Sequence, residues 1–164
     1  ITTLMKFTEK MQTAINAQIA LEMWSANIYL SMSAYFAQQG LDGFAHWYHQ
    51  QYKEELDHAE DMIQYVIRRG GQVKIQAIPA VDTEFDSALQ IAEKAYAHEC
   101  YVSEKIEELV RIAAEEKDMP SQDFFWKYIR EQVEEEATAT SIVDRVRLAS
   151  DHAIIFLDKE LSTR

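Results

Sequence analysis

The sequence predicts an all-α protein: an antiparallel four-helix bundle with one long crossover between helices two and three, plus a short C-terminal fifth helix. Three observations lead there. The 164 residues include only four glycines and two prolines, the residues that helix interiors tolerate least. Apolar side chains recur at steps of three and four along four long stretches, the period of a helix face packed on a core. The breaks after the first and third stretches are a few residues long, while the break after the second is about fifteen, enough to travel the length of a bundle. With 48% apolar residues the chain can bury a sizeable core, and residues 1–164 are read as a single domain.

The first helix is expected from about Thr8 to Gln38, stopping at Gln39-Gly40. The second starts near Asp42, taken as its N-cap, and ends at Arg68-Arg69-Gly70-Gly71, where basic residues followed by glycine form a common helix stop. The stretch from 72 to Phe85 reads as extended and contains Pro79; within it Val73–Ile78 is the one short strand-like run. The third helix is expected from near Asp86 to about Lys117, followed by a turn at Asp118-Met119-Pro120-Ser121. The fourth runs from about Ser121 to Ala149, Ser150-Asp151 interrupts, and DHAIIFLDKEL forms the short fifth helix.

Charge and cysteine content narrow the function. A net charge of −12 disfavours nucleic acid and anionic membranes and suits cationic partners. A single cysteine, Cys100, rules out an internal disulfide and any CxxC metal site, as expected in a reducing cytoplasm. ITTLMKFTEK lacks an apolar run of signal-peptide length, and no segment approaches the roughly 20 apolar residues that span a bilayer. The chain opens on Ile1 rather than methionine, as an N-terminus that has lost or exchanged residues would.

The informative residues are acids on the core-facing stripes. The stripes run Ile15-Ile19-Glu22-Ala26-Tyr29-Ser33-Phe36, then Phe44-Tyr48-Gln51-Glu55-His58-Met62-Tyr65. The other two run Leu89-Ala92-Tyr96-Glu99-Ser103-Ile106-Val110 and Phe125-Tyr128-Gln132-Glu135-Ala139-Ile142-Val146. Each is apolar or aromatic at its ends and carries an acid near its middle. Burying a lone carboxylate costs several kcal/mol, and no Lys or Arg lies on these stripes to balance it. A bound cation of the Mn, Fe or Zn kind balances such a set of oxygens with one imidazole. Glu55 follows Glu22 by 33 residues and Gln132 follows Glu99 by 33, so the chain reads as two related hairpins that each supply half of a site for two metal ions.

With these residues in view, the chain resembles a bacterial non-haem ferritin of the ferritin-like di-iron family along essentially its whole length. The matching segments are INAQIALEMWSANIYLSMSAY, YKEELDHAEDM, AHECY to EKIEEL, YIREQVEEE and FLDKELST. The di-iron pattern is one glutamate from each of two helices and an ExxH from each of the others. Glu22 and Glu99 match the single glutamates and Glu55 to His58 the first ExxH, whereas the second motif departs from the pattern as Gln132 to Glu135.

By resemblance, Glu22, Glu55 and His58 hold a first iron. Glu55, Glu99 and Glu135 hold a second, with Gln132 close by and Tyr29 beside the pair. Glu54, Glu131 and Glu134 match a third iron position toward an inner cavity. Leu56 stands where haem-binding relatives carry methionine, so no haem is expected. The resemblance implies an iron-storage ferroxidase that oxidises Fe(II) with O2 or H2O2 and deposits ferric oxide inside a homo-oligomeric cage of 24 subunits, with the AIIFL segment buried at a fourfold contact. Two alternatives remain at this level: a soluble di-iron peroxidase or oxidase of the rubrerythrin type, which lacks its CxxC module here, and a DNA-protecting mini-ferritin. His46, His49, His98 and His152 fall outside the constellation and are read as surface or interface residues. Glu115, Glu116, Asp118 and Asp123 either line an iron pore or belong to a solvated turn.

Overall fold

The computed structural model describes residues 6–164. The N-terminal end of the segment read for signal-peptide character lies outside them. Five helices follow in order: α1 Glu9–Gln38, α2 Asp42–Arg68, α3 Ala88–Glu115, α4 Met119–Leu148 and α5 Ile154–Leu161. The first four form the expected antiparallel bundle, and α5 packs across one end against α2.

Helix boundaries follow local chemistry. The Thr8 hydroxyl accepts from Met11 N and opens α1, and Ser87 does the same for α3 through Gln90 N. Gly40 and Gly70 take φ values of 76° and 75°, the left-handed conformation that ends a helix at no steric cost. Two boundaries differ from expectation. Asp42 is the first residue of α2 and not its cap; the free amide of Phe44 instead donates to the carboxylate of Asp158 on α5 at 2.8 Å. The turn before the fourth helix is tighter than expected, because Asp118 caps α4 through Ser121 N and Pro120 lies in the first helical turn, where its missing N–H costs nothing.

The crossover runs along α1 as irregular chain, with no strand among the described residues, so Val73–Ile78 does not pair as a strand. Side chains of α1 hold it at successive heights. Asn16 Nδ2 donates to Gln72 O at 2.9 Å and Asn16 Oδ1 accepts from Lys74 N at 2.8 Å. Farther along, Ser31 Oγ donates to Asp82 O at 2.6 Å. These bonds satisfy backbone groups that lack a sheet or helix partner.

The bundle core is divided. Met11, Ile15, Met62, Val66, Ile106 and Phe125 belong to one apolar cluster, and Tyr29, Phe36, Phe44, Tyr48, Ile91 and Ile142 to the other. Buried Glu22, Gln51, Glu55, Glu99 and Gln132 fall between them. The acids that the sequence sets mid-stripe therefore form a polar layer across the bundle. One stripe residue is corrected: Tyr96 is 39% exposed, and α3 buries Ala95, His98 and Val102 instead. The expected and the buried stripes share Ala92, Glu99 and Ile106, but from each the buried stripe continues three residues on, to Ala95, Val102 and Leu109, and not four, so the packed face of α3 is rotated to one side of the expected one.

Candidate metal centre

Glu55 and His58 lie one turn apart on the inner face of α2, and Glu22 faces them from α1. One ligand atom from each lies within 4.8 Å of the others, close enough for a single ion to touch all three. Glu22 is held from one side by Gln18, whose Nε2 donates to Oε1 at 2.7 Å. The other oxygen, Oε2, is buried and accepts no hydrogen bond; His58 Nδ1 is 3.6 Å away. A buried carboxylate oxygen without a donor is costly, and a cation beside it removes the cost. His58 points Nδ1 at Glu55 Oε2, 3.3 Å away, and Nε2 at Glu131 Oε1, 2.8 Å away. The shorter contact, from Nε2 to Glu131, orients the ring so that Nδ1 faces Glu22 and Glu55.

Across the layer, Glu99 from α3 is gripped by neighbours. The Tyr29 hydroxyl donates to its Oε1, and Gln132 Nε2 donates to its Oε2 at 3.1 Å and to Ser103 Oγ at 3.2 Å. Gln132 thus holds Glu99 in place. Glu135 accepts from Gln51 Nε2 at 3.2 Å. A small cavity of about 10 Å³ lies among Tyr29, Tyr48, Gln51, Glu99 and Glu135, roughly the space of one water-sized sphere. Glu99 and Glu135 face this cavity and do not join the tight group of Glu22, Glu55 and His58.

Charge is unevenly shared within the layer. Burial and the neighbouring Glu22 carboxylate push Glu55 well above the ordinary range. Burial also opposes the charge on Glu22, but the nearby His58 and Glu55 and the bond from Gln18 outweigh it and hold its carboxyl below the ordinary range. Glu99 is pushed up to about 7, mainly by burial, with Glu135 adding repulsion against the bonds from Tyr29 and Gln132. Burial opposes the charge on His58 as well, yet Glu131, Glu22 and Glu55 together hold it protonated. Tyr29, buried beside Glu99, keeps its proton and donates it.

Of the remaining candidates, Glu131 is bonded to His58, Glu134 is exposed, and Glu54 pairs with Arg164 at 2.8 Å. Three participants escaped the sequence reading. Gln18, one turn before Glu22, is buried and orients it; its spacing was the available signal. Arg164 reaches Gln51 from the end of the sequence, which no helical period could reveal. His98, expected at a surface or interface, is buried with its Nε2 2.7 Å from Ser25 Oγ, between the rings of Trp24 and Tyr29. Asp118 is likewise no solvated turn residue: it is buried and accepts from Arg69 at 2.8 Å.

A helical bundle with a transverse layer of carboxylates and one imidazole defines the ferritin-like class. The Ferritin-like domain family matches residues 12–149, and the chain belongs to that family. Within it, the chain is 50% identical over 157 residues to a bacterial non-heme ferritin of Bacteroides fragilis (strain 638R), covering 96% of this chain and 99% of that one. It is 32% identical to a bacterial non-heme ferritin of Escherichia coli O157:H7, covering 91% and 92% of the two chains. Among solved structures it matches an open pore ferritin from the hyperthermophilic archaeon Archaeoglobus fulgidus with a TM-score of 0.94 and 47% identity, covering 96% and 98%.

Proposed function

We propose that this chain is an iron-storage ferroxidase whose di-iron centre lies in the polar layer. The observation that carries the reading is the close group of Glu22, Glu55 and His58, with Glu22 Oε2 buried and without a donor. Fe(II) is the substrate. Glu22, Glu55 and His58 Nδ1 hold one ion; Glu55, Glu99 and Glu135 hold the second, with Glu55 between them. Gln132 and Tyr29 orient Glu99 and donate hydrogen bonds at the edge of the site. Two Fe(II) give up one electron each, reducing O2 and two protons to H2O2, or H2O2 and two protons to two waters. Anionic oxygens stabilise Fe(III) more than Fe(II), which favours the oxidation.

The same attraction retains the product, so a second, more solvated set of acids is useful. In this reading Glu54, Glu131 and Glu134, each at least partly exposed, form an outer cation position on the way to the mineral. Leu56 is on the exposed side of α2, and no haem is assigned. We further propose a cytoplasmic cage of 24 subunits with ferric oxide inside it. No helix among the described residues is long and apolar enough to cross a membrane, and the archaeal structural relative is itself a ferritin with an open pore.

Aerobic addition of Fe(II), followed by ferric absorbance, tests the centre. Glu55→Ala removes the shared ligand and should slow the first oxidation at least about a hundredfold, leaving the helical fold in place. An unchanged rate would overturn the assignment.

A further inference from the structure

Arg164 is bound more closely than its place at the end of the sequence suggests. Its guanidinium carbon lies 4.5 Å over the Trp47 ring, and Nη1 donates to Trp47 O at 3.2 Å. Nη2 donates to Gln51 Oε1 at 2.5 Å and to Glu54 Oε1 at 2.8 Å. All four contacts fall on consecutive turns of α2, on the side that leads to the carboxylate layer. Gln51 passes the contact on. Its Oε1 is taken by Arg164, which turns its Nε2 toward Glu135 Oε2. Burial pushes Glu135 up, the bond from Gln51 holds it down, and the charge of Arg164 acts against the repulsion of Glu54 and Glu131.

Glu54 Oε1 is taken by the guanidinium, so a cation that binds this oxygen competes with Arg164 for it. We propose that Arg164 is an internal competitor for the outer cation position: it fills the Glu54 corner when that position is empty and is displaced when a metal ion binds there. This rests on the reading of Glu54, Glu131 and Glu134 as an outer position. The consequence is chemical. A multiply charged ion leaving the inner layer meets Glu54 already paired with a cation, Arg164. The outer position is thereby kept weak, a place of transit and not a trap. Arginine suits this role because it stays charged at any working pH and stacks on an aromatic ring while its donors are free to exchange.

Terbium(III), a hard redox-inert cation, is the probe, titrated into the full-length assembled protein with luminescence sensitised by the neighbouring Trp47. Glu54→Gln defines which fraction of binding depends on the outer position. Arg164→Gln, which keeps hydrogen-bonding ability but not charge, should tighten that fraction by about three- to tenfold. Arg164→Lys should stay within about twofold of the wild type, since it keeps the charge. Unchanged or weaker binding in Arg164→Gln overturns the competitor role. Absence of any Glu54-dependent terbium binding in the wild type overturns the outer position itself, and the proposal with it.

Discussion

At the scale of single residues, burial separates what a side chain is from what its sequence neighbours suggest. His98 follows Ala97 and precedes Glu99 on α3, and nothing in that string marks it as buried. The fold encloses it against Trp24, Tyr29 and Ser25, and burial holds its imidazole down to about 4. The sign follows from proton counting. Between its ordinary value and about 4 the unfolded chain binds a proton that the folded chain refuses, so stability falls as pH falls through that window and levels off below it. The contribution is on the order of 3 kcal/mol over the window. Thermal midpoints measured from pH 7 to pH 4 should therefore fall less steeply in His98→Gln than in the wild type. Parallel slopes would show that His98 takes up its proton in the folded state. Glu55 and His58 behave differently from His98: their spacing of three residues was legible, because one helical turn puts both on one face.

Among elements, the contact between α2 and α5 decides how the bundle is closed. Asp158 replaces the side-chain cap that α2 lacks, accepting from Phe44 N. Gly43 makes this possible: a Cβ there would come within 1.7 Å of the backbone oxygen of Asp158. Gly43→Ala must push α5 away, lose the cap and expose Leu157 and Leu161, which α5 buries in the core. Overpacking and cap loss together should cost about 2–4 kcal/mol. Limited proteolysis should then cut near residues 149–153 faster than in the wild type, and equal cleavage rates would mean that α5 relaxes without leaving its seat. The sequence marked a short fifth helix, but not its place, since Asp42 looked like an adequate cap by itself. Local capping chemistry is readable in the chain; a cap supplied from more than a hundred residues away is not.

For the whole molecule, α5 turns two large apolar side chains outward, Ile155 at 64% and Phe156 at 77% exposure. Exposed apolar groups of this size next to each other mark a contact surface, as the proposed cage requires. Replacing both with lysine should shift native mass from the cage toward smaller assemblies while the helical content stays the same; an intact cage would place the contact elsewhere. The sequence by itself determined the helices, the single long crossover and the depth at which each helix carries its acid. These depend on periodicity and on the lengths of breaks, which are local properties of the chain. Tertiary structure alone decided the pairings inside the layer: Gln18 on Glu22, Tyr29 and Gln132 on Glu99, Glu131 on His58, and Arg164 on Glu54. It also decided that Tyr96 faces out and His98 faces in. The physical reason is that a helical period fixes only the direction of a side chain about its own axis. Which charge meets which, and whether it is dry when it does, depends on how neighbouring helices are rotated and on where the chain's far end comes to lie.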